Sequence, residues 1–132
     1  MPPPSVWYSY AVIRVVPRVE RGEFVNVGVV LFARTARFLA ARIAPDAARL
    51  HALAPGLDRD AVTRHLHAFV AICDGAAAGG PIARLSPSER FHWLTAPRSA
   101  VIQTSPIHIG RCHDPHRALD DLHDTLVRPP SV

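Results

Sequence analysis

RGEFVNVGVVLF, residues 21–32, is the longest β-favouring run of this sequence and starts in a charged turn. We interpret it as a central strand, in which the odd-numbered residues share one face and the even-numbered residues share the other. Because both faces are largely apolar, we expect cover on both sides of the strand. Asn26 and Gly28 are the exceptions, since a buried amide needs hydrogen-bond partners and an interior glycine serves a bulge or a close approach.

The length of 132 residues matches a single domain, 1–132, with flexible tails expected at residues 1–5 and 129–132. The hydrophobic content of 48% and the charged content of 20% are those of a globular protein. No apolar run approaches the roughly 20 residues of a membrane span, and the proline-rich start does not resemble a secretion signal. We therefore expect a cytoplasmic protein that has no membrane partner, with Cys73 and Cys112 as free thiols.

The charge balance is basic, with a formal net charge of +4, and all 15 basic residues are arginine. A basic balance favours anionic partners such as nucleic acid. These arginines are scattered along the chain, which is typical of a solvated surface. The charge alone therefore gives only weak support for nucleic-acid binding.

The rest of the sequence predicts strands first and helices mostly after them. Residues 6–16 and 38–43 alternate as strands do and complete a three-stranded meander, and residues 98–104 are a candidate fourth strand. Capping signals predict helices that start after Asp46, Asp58, Ser86 and Asp114. This order predicts an α+β fold, in which helices pack on an antiparallel sheet of three to four strands.

Two blocks carry a resemblance to a known family, RGEFVNVGVVLF at residues 21–32 and FHWLTAPRSAVIQTSPIHIG at residues 91–110. With the helix that starts at Asp114-Pro115, they resemble the bacterial domain-of-unknown-function family DUF3037 over nearly the whole chain. The resemblance implies no settled activity, but it implies a partner, because family members are commonly encoded beside a HipA-like kinase. The polar positions that recur in the family correspond here to Arg21, Glu23, Asn26, Arg98, Ser99, Gln103 and Ser105. Ala100 stands where similar sequences often have threonine.

These polar positions form one constellation if residues 98–104 lie beside the central strand. Arginine forks match phosphate or carboxylate, and amides and hydroxyls fix the orientation of such a ligand. Two interpretations remain open: an anion site, or an internal network in which Glu23 or the main chain satisfies the donors. We add His108 to the candidate ligand- or partner-binding residues.

A metal site is a weaker candidate. Histidines, a cysteine and an aspartate crowd into residues 108–116, and zinc accepts such ligands. Asp114 is better explained as a helix cap, however, and no second ligand pair completes a set of four. We therefore predict neither a metal nor another cofactor.

Catalysis has little support, because Ser99 and Ser105 lack the glycine-flanked elbow of a nucleophile. We expect an accessory or regulatory binding protein, the partner of a HipA-like kinase, rather than an enzyme. The alternative is a small enzyme or binding domain that acts on a phosphate-bearing or nucleic-acid ligand through the Arg/Glu/Gln constellation.

Overall fold

The computed structural model describes residues 4–129, so residues 1–3 and 130–132 of the predicted tails, 1–5 and 129–132, lie outside the described residues. Within this range one antiparallel sheet contains β1 (Val6–Val15), β2 (Val25–Ala33), β3 (Phe38–Ile43), β4 (Ile102–Thr104) and β5 (His108–Cys112). The α-helices of the described range are α1 (Ala47–Leu53), α2 (Arg59–Asp74), α3 (Pro87–Thr95) and α4 (Pro115–Leu126). The α+β prediction is confirmed.

β1 is the strand on which the sheet is built. The strand order is β3-β2-β1-β4, and β5 pairs with β1 as well. β4 lies opposite residues 13–15 of β1, while β5 lies opposite residues 6–10. Residues 102–104 are therefore separated from β2 by β1. The condition on which the single constellation depended, that this segment lies beside residues 21–32, is therefore not met, because β1 pairs with both of them.

β2 contains a bulge at Val27. Ile13 pairs with Gly28 and Arg14 pairs with Asn26, which leaves Val27 without a partner on β1. One extra residue shifts the side-chain alternation by one position. After the bulge, the even-numbered residues continue the face that Val27 occupies, and the odd-numbered ones move to the other face. The regular alternation predicted for this strand is therefore wrong from Gly28 onward.

Gly28 also permits a close approach between β2 and β3. A Cβ atom at this position would lie 2.7 Å from the main-chain oxygen of Arg42 and 2.9 Å from Cγ2 of Ile43. Both separations are shorter than real Cβ contacts, and the first involves main chain that cannot swing away. A glycine is thus required where the bulge presses against the edge strand β3.

Helices cover both faces of the sheet, as the two-sided apolar pattern of β2 predicts. One core cluster joins the sheet to α1, α2 and α3, and Leu66 and Phe91 are its largest fully buried helix residues. The other cluster joins Val29 and Leu31 to Leu119 of α4. Burial of such side chains stabilises a fold by about 1.5–3 kcal/mol each. Two cores share a single sheet, and the core under α4 is distinct from the one under the other helices.

The helix ends are formed by the predicted capping residues. Asp58 accepts a hydrogen bond from the Ala61 N–H at 3.1 Å, and Gly75 ends α2 in the left-handed conformation at φ 66°. At α3, the Ser86 hydroxyl accepts from the Glu89 N–H at 3.2 Å, and the Glu89 carboxylate accepts from the Ser86 N–H at 3.3 Å. This reciprocal pair is a capping box, which confirms the start predicted for α3.

Candidate functional site

Arg21 and Glu23 lie at the turn between β1 and β2, where Arg21 Nε donates to Glu23 Oε1 in an exposed ion pair. The hydrogen bond and the charge of Arg21 lower the pKa of Glu23, and the same bond raises the pKa of Arg21. Both side chains line a groove of about 700 Å³, whose other wall includes Pro55 and Leu57. A groove of this size suits a small ligand. The guanidinium, however, already has a carboxylate partner.

Arg98 and Gln103 line a second groove, of about 300 Å³. The Arg98 guanidinium donates to the main-chain oxygens of Trp93 and Ala96, and it lies 4.7 Å from the centroid of the Trp93 ring. The Gln103 amide donates to the main-chain oxygen of Ala100 at 2.8 Å. These bonds match the internal network that the sequence left open as an alternative to an anion site.

The two grooves are neighbours, because His65 and Val101 line both of them. The structure thus brings the Arg21/Glu23 pair to the same end of the molecule as Arg98 and Gln103. Ser99 lies exposed in the bend before β4. Asn26, Ser105 and His108 line neither groove, so the predicted constellation divides into separate places.

Asn26 lies on the face of the sheet that α4 covers, which is opposite to the face that carries the two grooves. Its Nδ2 atom donates to the main-chain oxygen of Leu126, at the end of α4, with a separation of 3.0 Å. Its Oδ1 atom is buried and has no hydrogen-bond partner within residues 4–129. Asn26 therefore ties α4 to the sheet through one half of its amide.

Arg14 is a polar residue of this region that the sequence reasoning missed. It pairs with Asn26 on one side and with Gln103 on the other, so an arginine stands between two amides across the sheet. Its guanidinium lies 4.0 Å from the centroid of the Phe24 ring, and burial lowers the pKa of Arg14. Its Nε atom is buried without a partner among the described residues. The available signal is that Arg14 is the single charged residue of an apolar run.

Ser105 and His108 lie at the other edge of β1. Ser105 is 4% exposed, and its hydroxyl donates to the main-chain oxygen of Pro106 at 2.9 Å. A side chain so enclosed contributes to folding. His108 is exposed at the start of β5, and its ring centroid lies 5.2 Å from that of Tyr10.

β5 is an edge strand that the residue pattern does not predict, because Gly110 interrupts it and Pro106 precedes it. In the part of the chain that the structure describes, no strand pairs with the outer edge of β5. Trp7 of β1 is 62% exposed and Ile109 of β5 is 71% exposed. The register makes them diagonal neighbours on one face, since Trp7 pairs with Arg111 and Ile109 with Ser9. We call Trp7 and Ile109, together with the free edge of β5, the edge surface.

No group of three or more His, Cys, Asp or Glu side chains within residues 4–129 is arranged to hold a metal ion. No single helix of this range is long and apolar enough to cross a membrane. Within the same range, only α2 combined with the 3-10 segment Ala77–Arg84, which is bent by 52° relative to it, has enough length and apolar composition.

Comparison with known proteins identifies a family but no characterised relative. The family model described as "protein of unknown function (DUF3037)" matches residues 10–127. No curated protein matches the chain, and no solved structure matches it. The match covers all five strands except the start of β1, and all four helices.

Proposed function

This chain belongs to the DUF3037 family, and from that premise we propose that it is a bacterial, cytoplasmic accessory protein that binds and regulates a HipA-like kinase. The partner is suggested by the resemblance, in which family members are commonly encoded beside such a kinase. The proposed work of the protein is binding through the edge surface, rather than catalysis.

The observation that carries this proposal is the exposure of Trp7 and Ile109 beside an unpaired strand edge. Two large apolar side chains, 62% and 71% exposed, lie together on one face of the sheet. Tryptophan is enriched among the residues that dominate binding energy at protein interfaces. An open edge also offers main-chain N–H and C=O groups to a strand of a partner. The edge surface thus combines an apolar anchor with a template for strand pairing.

The arginines of the predicted constellation support the same preference. A site that captures phosphate needs guanidinium groups free to form new bonds. Arg21 is held by Glu23, and Arg98 is held by the main-chain oxygens of Trp93 and Ala96. These partners support internal roles for both arginines, which is a reason to prefer the binding proposal to the enzyme alternative.

Co-expression with a HipA-like kinase from the same genome tests the proposal. The kinase carries the affinity tag, and the co-purified amount of this protein is measured for wild type and for Ile109→Lys. A lysine on an edge strand opposes pairing and removes the apolar contact, so we expect the variant to be lost from the complex. Val19→Lys is the matched control, because Val19 is an exposed valine, 47% accessible, in the turn between β1 and β2.

Melting curves of both variants establish that each is folded before binding is compared. Co-purification of wild type and Val19→Lys, with loss of Ile109→Lys, would support the proposal. Failure of the wild-type protein to co-purify would overturn the partnership. Equal retention of the two lysine variants would overturn the assignment to the edge surface.

A further inference from the structure

A groove of about 670 Å³ lies between α4 and the part of the sheet that β1 and β5 form. Its floor comes from Tyr8 and Tyr10, and its walls include Arg117 and Thr125 of α4. We call it the tyrosine groove. Side chains alternate along β1, so Tyr8 and Tyr10 lie on the face opposite Trp7. The tyrosine groove is therefore separate from the edge surface, and an inference about it does not depend on the proposed kinase partner.

A row of three aromatic rings runs through the floor of the tyrosine groove: Tyr8 and Tyr10 line the groove, and His108 lies beside Tyr10 outside its lining. The ring centroids of Tyr8 and Tyr10 are 6.0 Å apart, and those of Tyr10 and His108 are 5.2 Å apart. The ring planes of the second pair are inclined by 30° to each other. All three side chains are on neighbouring strands, since Tyr10 pairs directly with His108.

Gly110 sets the position of the first ring. It pairs with Tyr8, and a Cβ atom at Gly110 would lie 2.5 Å from both Cζ and the hydroxyl oxygen of Tyr8. Tyr8 therefore rests directly on the main chain of β5. The missing side chain at Gly110 leaves room for the phenol ring of Tyr8. This contact is a specific reason for the glycine that interrupts the pattern of β5.

The rim of the tyrosine groove supplies a cation. Arg117 is highly exposed, and its nearest carboxylate, Asp121, lies 4.0 Å away with a side chain that is 71% exposed. An exposed and long ion pair of this kind contributes little to stability and leaves the guanidinium of Arg117 available to a ligand. Asp114, also on the rim, is occupied as the cap of α4, where it accepts from the His116 N–H at 3.0 Å. The chain as a whole carries a net charge of +4.

From this arrangement we propose that the tyrosine groove binds a nucleobase and its phosphate, as part of a single-stranded nucleic acid or as a free nucleotide. Every base presents a flat face that stacks on aromatic rings, and a sheet that displays such rings next to arginine suits single strands. The Tyr8 and Tyr10 rings of the floor form the stacking platform, His108 extends the row beyond Tyr10, and Arg117 contacts the phosphate. This site is distinct from the arginine constellation that the sequence suggested.

Fluorescence anisotropy tests the proposal with a labelled single-stranded RNA about ten nucleotides long, of uridine or of adenosine, at low salt. We expect saturable binding by the wild-type protein. Tyr10→Leu should weaken binding about five-fold or more, whereas Tyr10→Phe should retain it, because the phenyl ring still stacks. Competition with uridine and adenosine monophosphates separates the two sources of the ligand: effective competition indicates a free nucleotide, and weak competition indicates a strand.

The charge contribution needs a control of equal charge. Arg117→Ala should weaken binding, while Arg64→Ala, which removes an exposed arginine from α2 on the other face, should leave it within about two-fold. Melting curves show that each variant is folded. Absence of saturable binding by wild type would overturn the proposal. Unchanged affinity in folded Tyr10→Leu, or equal losses in both arginine variants, would show non-specific attraction to a basic protein and would overturn it as well.

Discussion

Ser105 and Val12 are joined by a reciprocal pair of hydrogen bonds across 93 residues of sequence. The Val12 N–H donates to the Ser105 hydroxyl at 2.8 Å, and the Ser105 N–H donates to the Val12 main-chain oxygen at 2.8 Å. Ser105 occupies the gap between β4 and β5, where neither strand reaches β1. Its side chain replaces a missing strand residue and satisfies a buried N–H group.

Ser105→Ala should therefore lower the free energy of unfolding by about 1–3 kcal/mol, because the buried Val12 N–H loses its acceptor. Urea denaturation measures the change. Ser99→Ala is the control, since Ser99 is exposed, and it should change stability by less than about 0.5 kcal/mol. Equal stability of the two variants would contradict the role assigned to Ser105.

Gly28→Ala should destabilise the protein by about 1–3 kcal/mol, since the added methyl group strikes the Arg42 main-chain oxygen and the Ile43 side chain. The comparison is with Gly56→Ala, where a Cβ atom meets nothing within 4 Å. Thermal melting of the two variants gives the difference directly. Equal melting temperatures for Gly28→Ala and Gly56→Ala would contradict the prediction, because they would mean that β3 moves aside without loss of stability.

Asn26→Leu should lower the free energy of unfolding by about 1–3 kcal/mol, because the main-chain oxygen of Leu126 loses the amide that donates to it. The effect should be largest at α4, since Asn26 holds the last turn of that helix. Hydrogen exchange measures it residue by residue: we expect faster exchange in α4 and unchanged exchange in α2. Equal acceleration in both helices would show that Asn26 supports the sheet as a whole.

Stability should fall as the pH is lowered through 6.5, because of His123. This side chain is 4% exposed, and burial, followed by the positive charge of Arg42, lowers the pKa of His123 from 6.5 despite the nearby Asp120 and Asp124. Between the folded-state pKa and 6.5, the unfolded chain binds more protons than the folded chain. The contribution of His123 is thus fully present above pH 6.5 and is lost as the pH falls toward the folded-state value.

Urea unfolding at about pH 7.5 and about pH 5.5 measures this dependence. His123→Gln should reduce the difference between the two conditions. His67→Gln, on the exposed side of α2, should leave the difference as it is in wild type. A wild-type difference that survives in His123→Gln would assign the effect to another group.

The sequence predicted the helices well because their signals are local. The capping bonds join residues no more than four positions apart, as at Asp58, Gly75 and Ser86. Both partners of each bond can therefore be recognised in one short stretch of sequence. β5 depends instead on pairing with β1 about a hundred residues away. The bulge at Val27 is equally hidden, because it is a mismatch between two strands and not a property of one.

The candidate site was predictable to the same extent. Arg21 and Glu23 are two residues apart, and their pairing follows from proximity in the chain. The other candidate residues lie in separate places because β4 pairs with β1. The sequence of residues 98–104 alone does not reveal this pairing. Arg14 and the row of Tyr8 and Tyr10 belong to an apolar run, where the strand pattern hides their chemistry until the neighbours are known.

The shared role of β1 has a consequence for synthesis on the ribosome. β1, β2 and β3 can pair once residue 43 has emerged, but the second edge of β1 stays open until residues 102–112 follow. An open apolar edge is a template for aggregation between nascent chains. Arg14 is the single charged residue of that strand, and a charge within an aggregation-prone segment acts as a gatekeeper. From this principle we expect the partly buried arginine to oppose aggregation of the growing chain during the interval before its sheet is complete.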